Sequence, residues 1–437
     1  MTVNVYGAGL AGCEAAYQLA KRGVHVRLYD MKPNKKSPAH SSDKLAELVC
    51  SNSLKANRVE SAAGLLKEEM RRLDSLLVSC ADKCAVPAGG ALAVDRELFS
   101  DMVTEHIKSN ENIDFISEEV TSIPDDEICI IATGPLTSDV LSEHIRDRFG
   151  EHLSFFDAAA PIVSAESVDM DHAFFESRYG KGDSDDYLNC PMNKEEYELF
   201  HNELVNAERA PVHDFDVRDP KVYEGCMPIE VLAQRGIDTI RFGPMKPVGL
   251  RDPKTGHRPW AVLQLRKETV SGEMFNLVGF QTNLKFDEQK RVFGLIPALK
   301  NAEFFRYGVM HRNTFLNSPK LLDSDFALKE NKNIFFAGQI TGVEGYMESA
   351  SSGLIAGINA YMRASGKETC VLPECTMIGA LSRYISDSSV KDFQPMGANL
   401  GILPPLENRP REKAQRAAMH ASRSLESLEV YIKSNNL

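Results

Sequence analysis

The sequence predicts an α/β protein, a Rossmann-like domain interrupted by an inserted α+β domain. Three observations predict it. Met1–Asp30 reads as strand, glycine turn, helix, strand and acid; an apolar strand ends in Ala132-Thr133-Gly134; and a second strand, glycine loop and helix begin at Asn333. From about Ser164 to Leu322 the pattern changes to short strands rich in Pro and Gly, which marks the insert.

In the opening unit, Thr2-Val-Asn-Val-Tyr6 is a strand and Gly7-Ala8-Gly9-Leu10-Ala11-Gly12 turns it into a helix. Gly7 permits the tight turn, Gly9 lets backbone approach a pyrophosphate, and Gly12 lets the helix sit close on the sheet. The helix N-terminus is suited to receive phosphates, so all six turn residues are candidate cofactor contacts. Gly12, Ala15, Ala16 and Leu19 recur at helical spacing as a narrow packing face, and Gly23 stands where a helix C-cap belongs. Asp30 lies 18 residues past Gly12, at the end of the second strand, where a carboxylate can accept from ribose hydroxyls.

The second segment, Glu127–Gly134, is a fully apolar strand whose small final residues Ala132, Thr133 and Gly134 let backbone lie against a flat or phosphorylated ligand. An Ala-Thr-Gly ending of this type closes the FAD fold of two-dinucleotide-binding flavoproteins, which favours FAD over NAD as the resident dinucleotide. The third segment, Asn333–Glu348, places Gly338, Gln339, Thr341 and Gly342 in a loop before a small-residue helix, suited to a flavin edge and ribityl chain.

Between the first two segments the spacing of Leu65, Leu66, Met70, Leu73, Leu76 and Leu77 predicts one helix around Ser61–Leu77. The loop Pro87-Ala-Gly89-Gly90 is either a plain turn or a close approach to cofactor, and Asp95 is placed to cap a helix from Arg96. The expected domains are 1–163 and 323–437 for the two parts of the FAD-binding domain and 164–322 for the inserted, substrate-facing domain. The tail from Glu407 reads as a helix packed on the body.

At 437 residues, 43% hydrophobic and 26% charged, the chain has an ordinary globular composition. No apolar run approaches the ~20 residues of a membrane span. Cleavage of a leader would destroy the strand before Gly7, so the expectation is a cytoplasmic chain without membrane contact. The nine cysteines, an odd number, fit reduced thiols; Cys80 and Cys84 are spaced x3 and Cys370 and Cys375 x4, but neither pair has a second Cys/His pair at zinc-site spacing. Net charge is −12, yet Arg241–Lys320 carries 14 Lys+Arg against 6 Asp+Glu, while Glu166–Glu230 carries 6 against 17. One basic block on an acidic protein suits a polyanion, unless the two blocks interleave in space.

Cys50, in Ala46-Glu-Leu-Val-Cys-Ser-Asn-Ser53, and Cys226, in Glu224-Gly-Cys-Met-Pro-Ile-Glu230, stand in polar, turn-rich surroundings, where a nearby cation makes a thiol a useful nucleophile. These strings, with Gly7–Gly12, Pro87–Arg96, Tyr187–Met192, Phe242–Gly249, Val278–Thr282, Tyr307–Phe315 and Phe336–Gly345, resemble the folate- and FAD-dependent tRNA (uracil-5-)methyltransferase family from the first strand to Met396. The sequence has Asp30-Met-Lys32-Pro33 where that family usually reads Glu-Met-Arg-Pro; Lys32 lacks the bidentate fork of Arg.

The resemblance implies formation of 5-methyluridine in the T-arm of tRNA. Methylenetetrahydrofolate would give the carbon, reduced FAD would act as carrier and reductant, and NADH or NADPH would supply electrons. It implies Cys226 as nucleophile at uracil C6 and Cys50 as general base, the reverse assignment being open. The basic residues from Lys246 to Arg312 would track RNA phosphates, with bases stacked on aromatics such as Trp260 or Tyr307. Arg266, Arg306, His311 or Arg312 could instead meet folate or shape the flavin pocket. The same chemistry on large-subunit ribosomal RNA, a non-methylating flavin-containing tRNA-binding protein, and a plain NAD(P)H oxidoreductase are the alternatives.

Overall fold

The computed structural model describes the chain except residues 38, 151–152, 181–185, 212–226 and 436, with backbone only for 153–157, 311 and 312. The three sequence segments meet in one five-stranded parallel sheet, in the order Ile334–Phe336, Cys129–Ile131, Thr2–Tyr6, His25–Asp30, Ile113–Ser117. Its register aligns Phe336 with Ile131, Ile131 with Tyr6, and Tyr6 with Tyr29. The loops that follow, at Ala337, Ala132 and Gly7, therefore open side by side at the carboxyl ends of the strands, where open α/β sheets bind ligands.

The opening helix Leu10–Lys21 and the long helix Tyr346–Ala364 pack together. A Cβ on Gly353 would stand 2.1 Å from the Ala11 carbonyl oxygen, so the small residues of both helices are a steric condition of this packing. Tyr346 is thereby placed beside the opening turn.

The helix expected over Ser61–Leu77 is two helices, Ala62–Arg72 and Leu76–Lys83. Asp74 takes a left-handed φ of 57°, and Ser75 caps the second helix by accepting from Val78 N–H. The buried Glu14 carboxylate completes the break, accepting from Ser75 Oγ and from the N–H groups of Leu76 and Leu77. Glu69 does the same for the helix Met377–Ser386, accepting from Met377 and Ile378 N–H and from Ser424 Oγ of the C-terminal helix Lys413–Asn435.

An antiparallel ribbon, Leu153–Ala158 with Met310–Phe315, leads into and out of a second sheet. That sheet has six strands, ordered Phe174–Phe175, Leu188–Met192, Ala261–Lys267, Met274–Leu277, Ile162–Ser164, Phe304–Arg306, and its own core around Leu263, Leu277, Phe280 and Phe293. The Pro87–Gly90 loop docks on this part, Gly89 N–H donating to Asp186 and Tyr187 Oη to the Ala88 carbonyl. Among the described residues no helix is long and apolar enough to cross a membrane.

Candidate active site

Gly7, Gly9, Leu10, Ala11, Asp30, Ala132, Thr133, Gly134, Gly338 and Gln339 line one cleft at the ends of the parallel strands. Gly7 has φ 101°, and a Cβ there would lie 2.5 Å from the Ala132 carbonyl oxygen, so the first and second loops can meet only through glycine. At Gly9, by contrast, a Cβ would meet nothing within 4 Å; the space beside it belongs to a ligand or to water. No side chain caps the helix at Gly9, which leaves the N–H groups of its first turn for an anionic group.

The other four expected cofactor residues serve the loops behind the cleft. Ala8 is buried and donates its N–H to Asp30 Oδ2 at 2.8 Å. A Cβ on Gly12 would lie 1.7 Å from the Gly7 carbonyl oxygen. Thr341 Oγ1 donates to the Gly338 carbonyl, and Gly342 lies against the ring of Phe393. Asp30 also accepts from Lys32 N–H at 2.9 Å, so its carboxylate ties the glycine turn to the second strand. Lys32 is buried and spends its ammonium on the Lys44 carbonyl.

The far end of the cleft meets the Cys50 loop through Val49 and Tyr346. The Tyr346 phenolic oxygen accepts the N–H groups of Cys50 and Ser51; burial first, then the field of Cys50, raises its pKa and keeps the phenol neutral. Arg96 donates Nη1 to the Leu48 carbonyl at 3.0 Å and Nη2 to that of Cys50 at 3.4 Å. Arg306 donates to the Val49 carbonyl at 2.6 Å. Arg266 reaches Ser51 Oγ at 3.0 Å and Asn52 Oδ1 at 2.9 Å. Three guanidinium groups thus enclose a loop that carries a half-buried thiol, whose Sγ lies 3.6 Å from the Ala158 carbonyl oxygen.

The family described as Glucose inhibited division protein A matches residues 2–368. A methylenetetrahydrofolate–tRNA-(uracil-5-)-methyltransferase TrmFO of Acetivibrio thermocellus is 63% identical over 98% of both chains, and one of Lysinibacillus sphaericus is 56% identical over all of this chain and 99% of its own. The chain belongs to the GidA family and, within it, to the TrmFO proteins. Two crystal forms of Aquifex aeolicus GidA share the fold, with TM-scores of 0.68 and 0.67 at 16% and 17% identity, covering 98% of this chain and 73% and 76% of theirs.

FAD is the cofactor of this TrmFO-family chain, and the cleft fits it: an uncapped helix N-terminus, a turn in which only glycine is possible, and open space at Gly9 are what a dinucleotide pyrophosphate requires. Cys226 lies outside the described residues. His311 and Arg312 are described by their backbone alone.

The charge blocks of this TrmFO protein interleave in part. Lys285 pairs with Glu208, and Arg291 with Glu203 and Glu288. Arg266 and Arg306 are turned inward onto the Cys50 loop. Lys246, Arg251 and Arg258 are exposed and form no ion pair among the described residues. Tyr307 offers no stacking face, because Phe286 at 4.7 Å and Phe304 at 5.1 Å stack on it. Trp260 is partly exposed beside Arg241, whose guanidinium lies 4.3 Å from the ring centroid. Sequence reasoning did not single out Tyr346 or Arg96 for function. No local spacing links either to Cys50; only the fold brings them there.

Proposed function

We infer that this protein is a folate-dependent tRNA (uracil-5-)methyltransferase that forms 5-methyluridine in the T-arm, takes its carbon from methylenetetrahydrofolate and uses NAD(P)H as reductant in the cytoplasm. The observation that carries this reading is the FAD-type cleft whose end is built by the Cys50 loop and Tyr346, in a chain 63% identical to a named TrmFO. We assign the pyrophosphate to the turn Gly7–Gly12, a ribose to Asp30, and the flavin end to Ala132–Gly134 and the Gly338–Gly342 loop.

Bound FAD supplies the redox chemistry that turns a one-carbon unit into a methyl group. The protein's part is nucleophilic and acid–base. The Cys226 thiolate adds to uracil C6, which moves electron density to C5; C5 then bonds to the folate-derived carbon, whose bond to its carrier nitrogen breaks, and a hydride, the reduction that bound FAD would supply, takes that place to complete the methyl group. Cys50 removes the C5 proton, and the electron pair returns to re-form the C5–C6 double bond as the C6–S bond breaks. Lys246, Arg251 and Arg258 lie on the RNA side, with Trp260 as a stacking ring. Trp260 directly precedes the strand whose other end carries Arg266, ~20 Å along that strand from the residue that meets the Cys50 loop, a span that suits a polynucleotide.

The test offers carbon-labelled methylenetetrahydrofolate with unmodified tRNA and with large-subunit ribosomal RNA. Label in a T-arm uridine of tRNA is the expected result; label in ribosomal RNA alone, or in neither, overturns the reading. Trapping with 5-fluorouracil-containing tRNA separates the thiols: the adduct is expected in Cys50→Ala and absent in Cys226→Ala.

A further inference from the structure

The Cys50 loop is held from both parts of the molecule. Arg96 begins the helix Arg96–Lys108 on the side of the parallel sheet, and its guanidinium donates to the carbonyls on either side of Val49. Glu268 stands at the end of the strand Ala261–Lys267 of the second sheet, with its carboxylate against that same guanidinium: Nε–Oε2 is 2.7 Å and Nη2–Oε1 is 3.2 Å. The two side chains are 15% and 2% exposed, so solvent screens this pair little.

A buried guanidinium facing a loop would ordinarily present its full charge to whatever stands there. Here a carboxylate from the other sheet neutralises it. Among the described residues the other charged or titratable neighbours are Arg306 on Val49, Arg266 on Ser51 and Asn52, the Tyr187 phenol bonded to Arg266, and the neutral phenol of Tyr346, with Glu47 facing Arg306 from the loop itself. Arg96, Arg306 and Tyr346 are all within electrostatic reach of the Cys50 thiol. Among the described residues Glu268 is the negative group from the second sheet that faces these guanidinium groups: it pairs with Arg96 and also lies in the field of Arg266.

We propose that Arg96 is the positioning residue of Cys50 and that Glu268 sets how much of the Arg96 charge the thiol experiences, so that the seating of the second sheet governs Cys50 reactivity. The inference rests on the proposed role of Cys50 for its use in methyl transfer, although not for its chemistry. Movement that draws Glu268 away from Arg96 leaves the guanidinium charge unopposed beside Cys50; the seated pair offsets it.

The experiment is site-resolved alkylation of Cys50 by iodoacetamide in the FAD-loaded enzyme, with the modified peptide quantified by mass spectrometry. Sulfur bonds to the methylene carbon and iodide leaves, at a rate set by the thiolate fraction. Glu268→Gln is expected to speed alkylation by roughly threefold or more at pH 7, and Arg96→Gln to slow it by a similar factor. A loss of structure alone would open the loop and speed both. Rates that move in the same direction, or that do not move, overturn the proposal.

If Arg96→Gln does not fold, adding it to Glu268→Gln as a matched amide pair must reverse the gain of the single variant. Retention of that gain also overturns the proposal. Because alkylation needs no tRNA, a Cys50→Ala enzyme that still methylates would remove the catalytic role of Cys50 and leave this test intact.

Discussion

The phenolic oxygen of Tyr346 accepts two consecutive backbone N–H groups, Cys50 at 2.6 Å and Ser51 at 3.1 Å, across 296 and 295 residues of sequence. The bond fixes the Cys50 loop to the first turn of the long helix, next to the glycine loop before it. Tyr346→Phe keeps the ring and strands both donors, which should cost ~1–3 kcal/mol of local stability. The expected outcome is a fall in kcat of tenfold or more, with little change in KM for tRNA. Steady-state kinetics on tRNA check it; an unchanged kcat would show that the loop needs no such anchor.

Gly9 and Gly12 separate ligand space from packing space. Gly9 has an ordinary φ of −76° and an open Cβ position, so Gly9→Ala should melt like the wild type yet release FAD, with affinity down roughly tenfold or more. Gly12→Ala drives a methyl into the Gly7 carbonyl and should cost ~2 kcal/mol or more with or without flavin. Thermal melts of apo and FAD-loaded protein distinguish the two.

Glu69 is fully buried and is pushed up to about 7, mainly by desolvation, against hydrogen bonds from Ser424, Met377 and Ile378 that hold it down. Its folded pKa is above its unfolded one, so the folded state binds the proton more tightly. The resulting stabilisation is complete below about 4.5 and is lost as pH rises through about 7. Glu69→Gln should therefore remove a decline on the order of 2 kcal/mol between those pH values. Urea midpoints of both proteins at pH 5 and pH 7.5 measure it; parallel shifts would contradict the assignment.

The RNA face should depend on exposed, unpaired cations and not on the whole basic block. Arg251→Gln with Arg258→Gln is expected to weaken tRNA binding and to flatten the plot of log affinity against log salt by roughly one to two units. Arg291→Gln removes a cation already held by Glu203 and Glu288 and should leave that slope unchanged. Filter binding across salt concentrations tests both, and equal effects would place the interface elsewhere. Trp260→Ala should weaken binding without changing the slope, because stacking releases no counterions.

The sequence by itself determined the α/β class, because turn, helix and strand within Met1–Asp30 are fixed by neighbours a few residues apart. The glycine spacing and the apolar strand at Cys129 state their geometry locally, and the same holds for the Asp95 cap, which accepts from Glu97 and Leu98 N–H. Tertiary structure decided what depends on distant partners. The helix break at Asp74 is completed by Glu14, some 60 residues earlier, and propensity alone cannot reveal a cap supplied from another helix. Stacking of Tyr307 between two Phe rings, and neutralisation of Arg291 by Glu203, likewise follow from packing. The Cys50 loop is the clearest case. Its residue types announced a reactive thiol, but the hydroxyl and the three guanidinium groups that hold it come from Tyr346, Arg96, Arg266 and Arg306, which only the closing of the two sheets brings together.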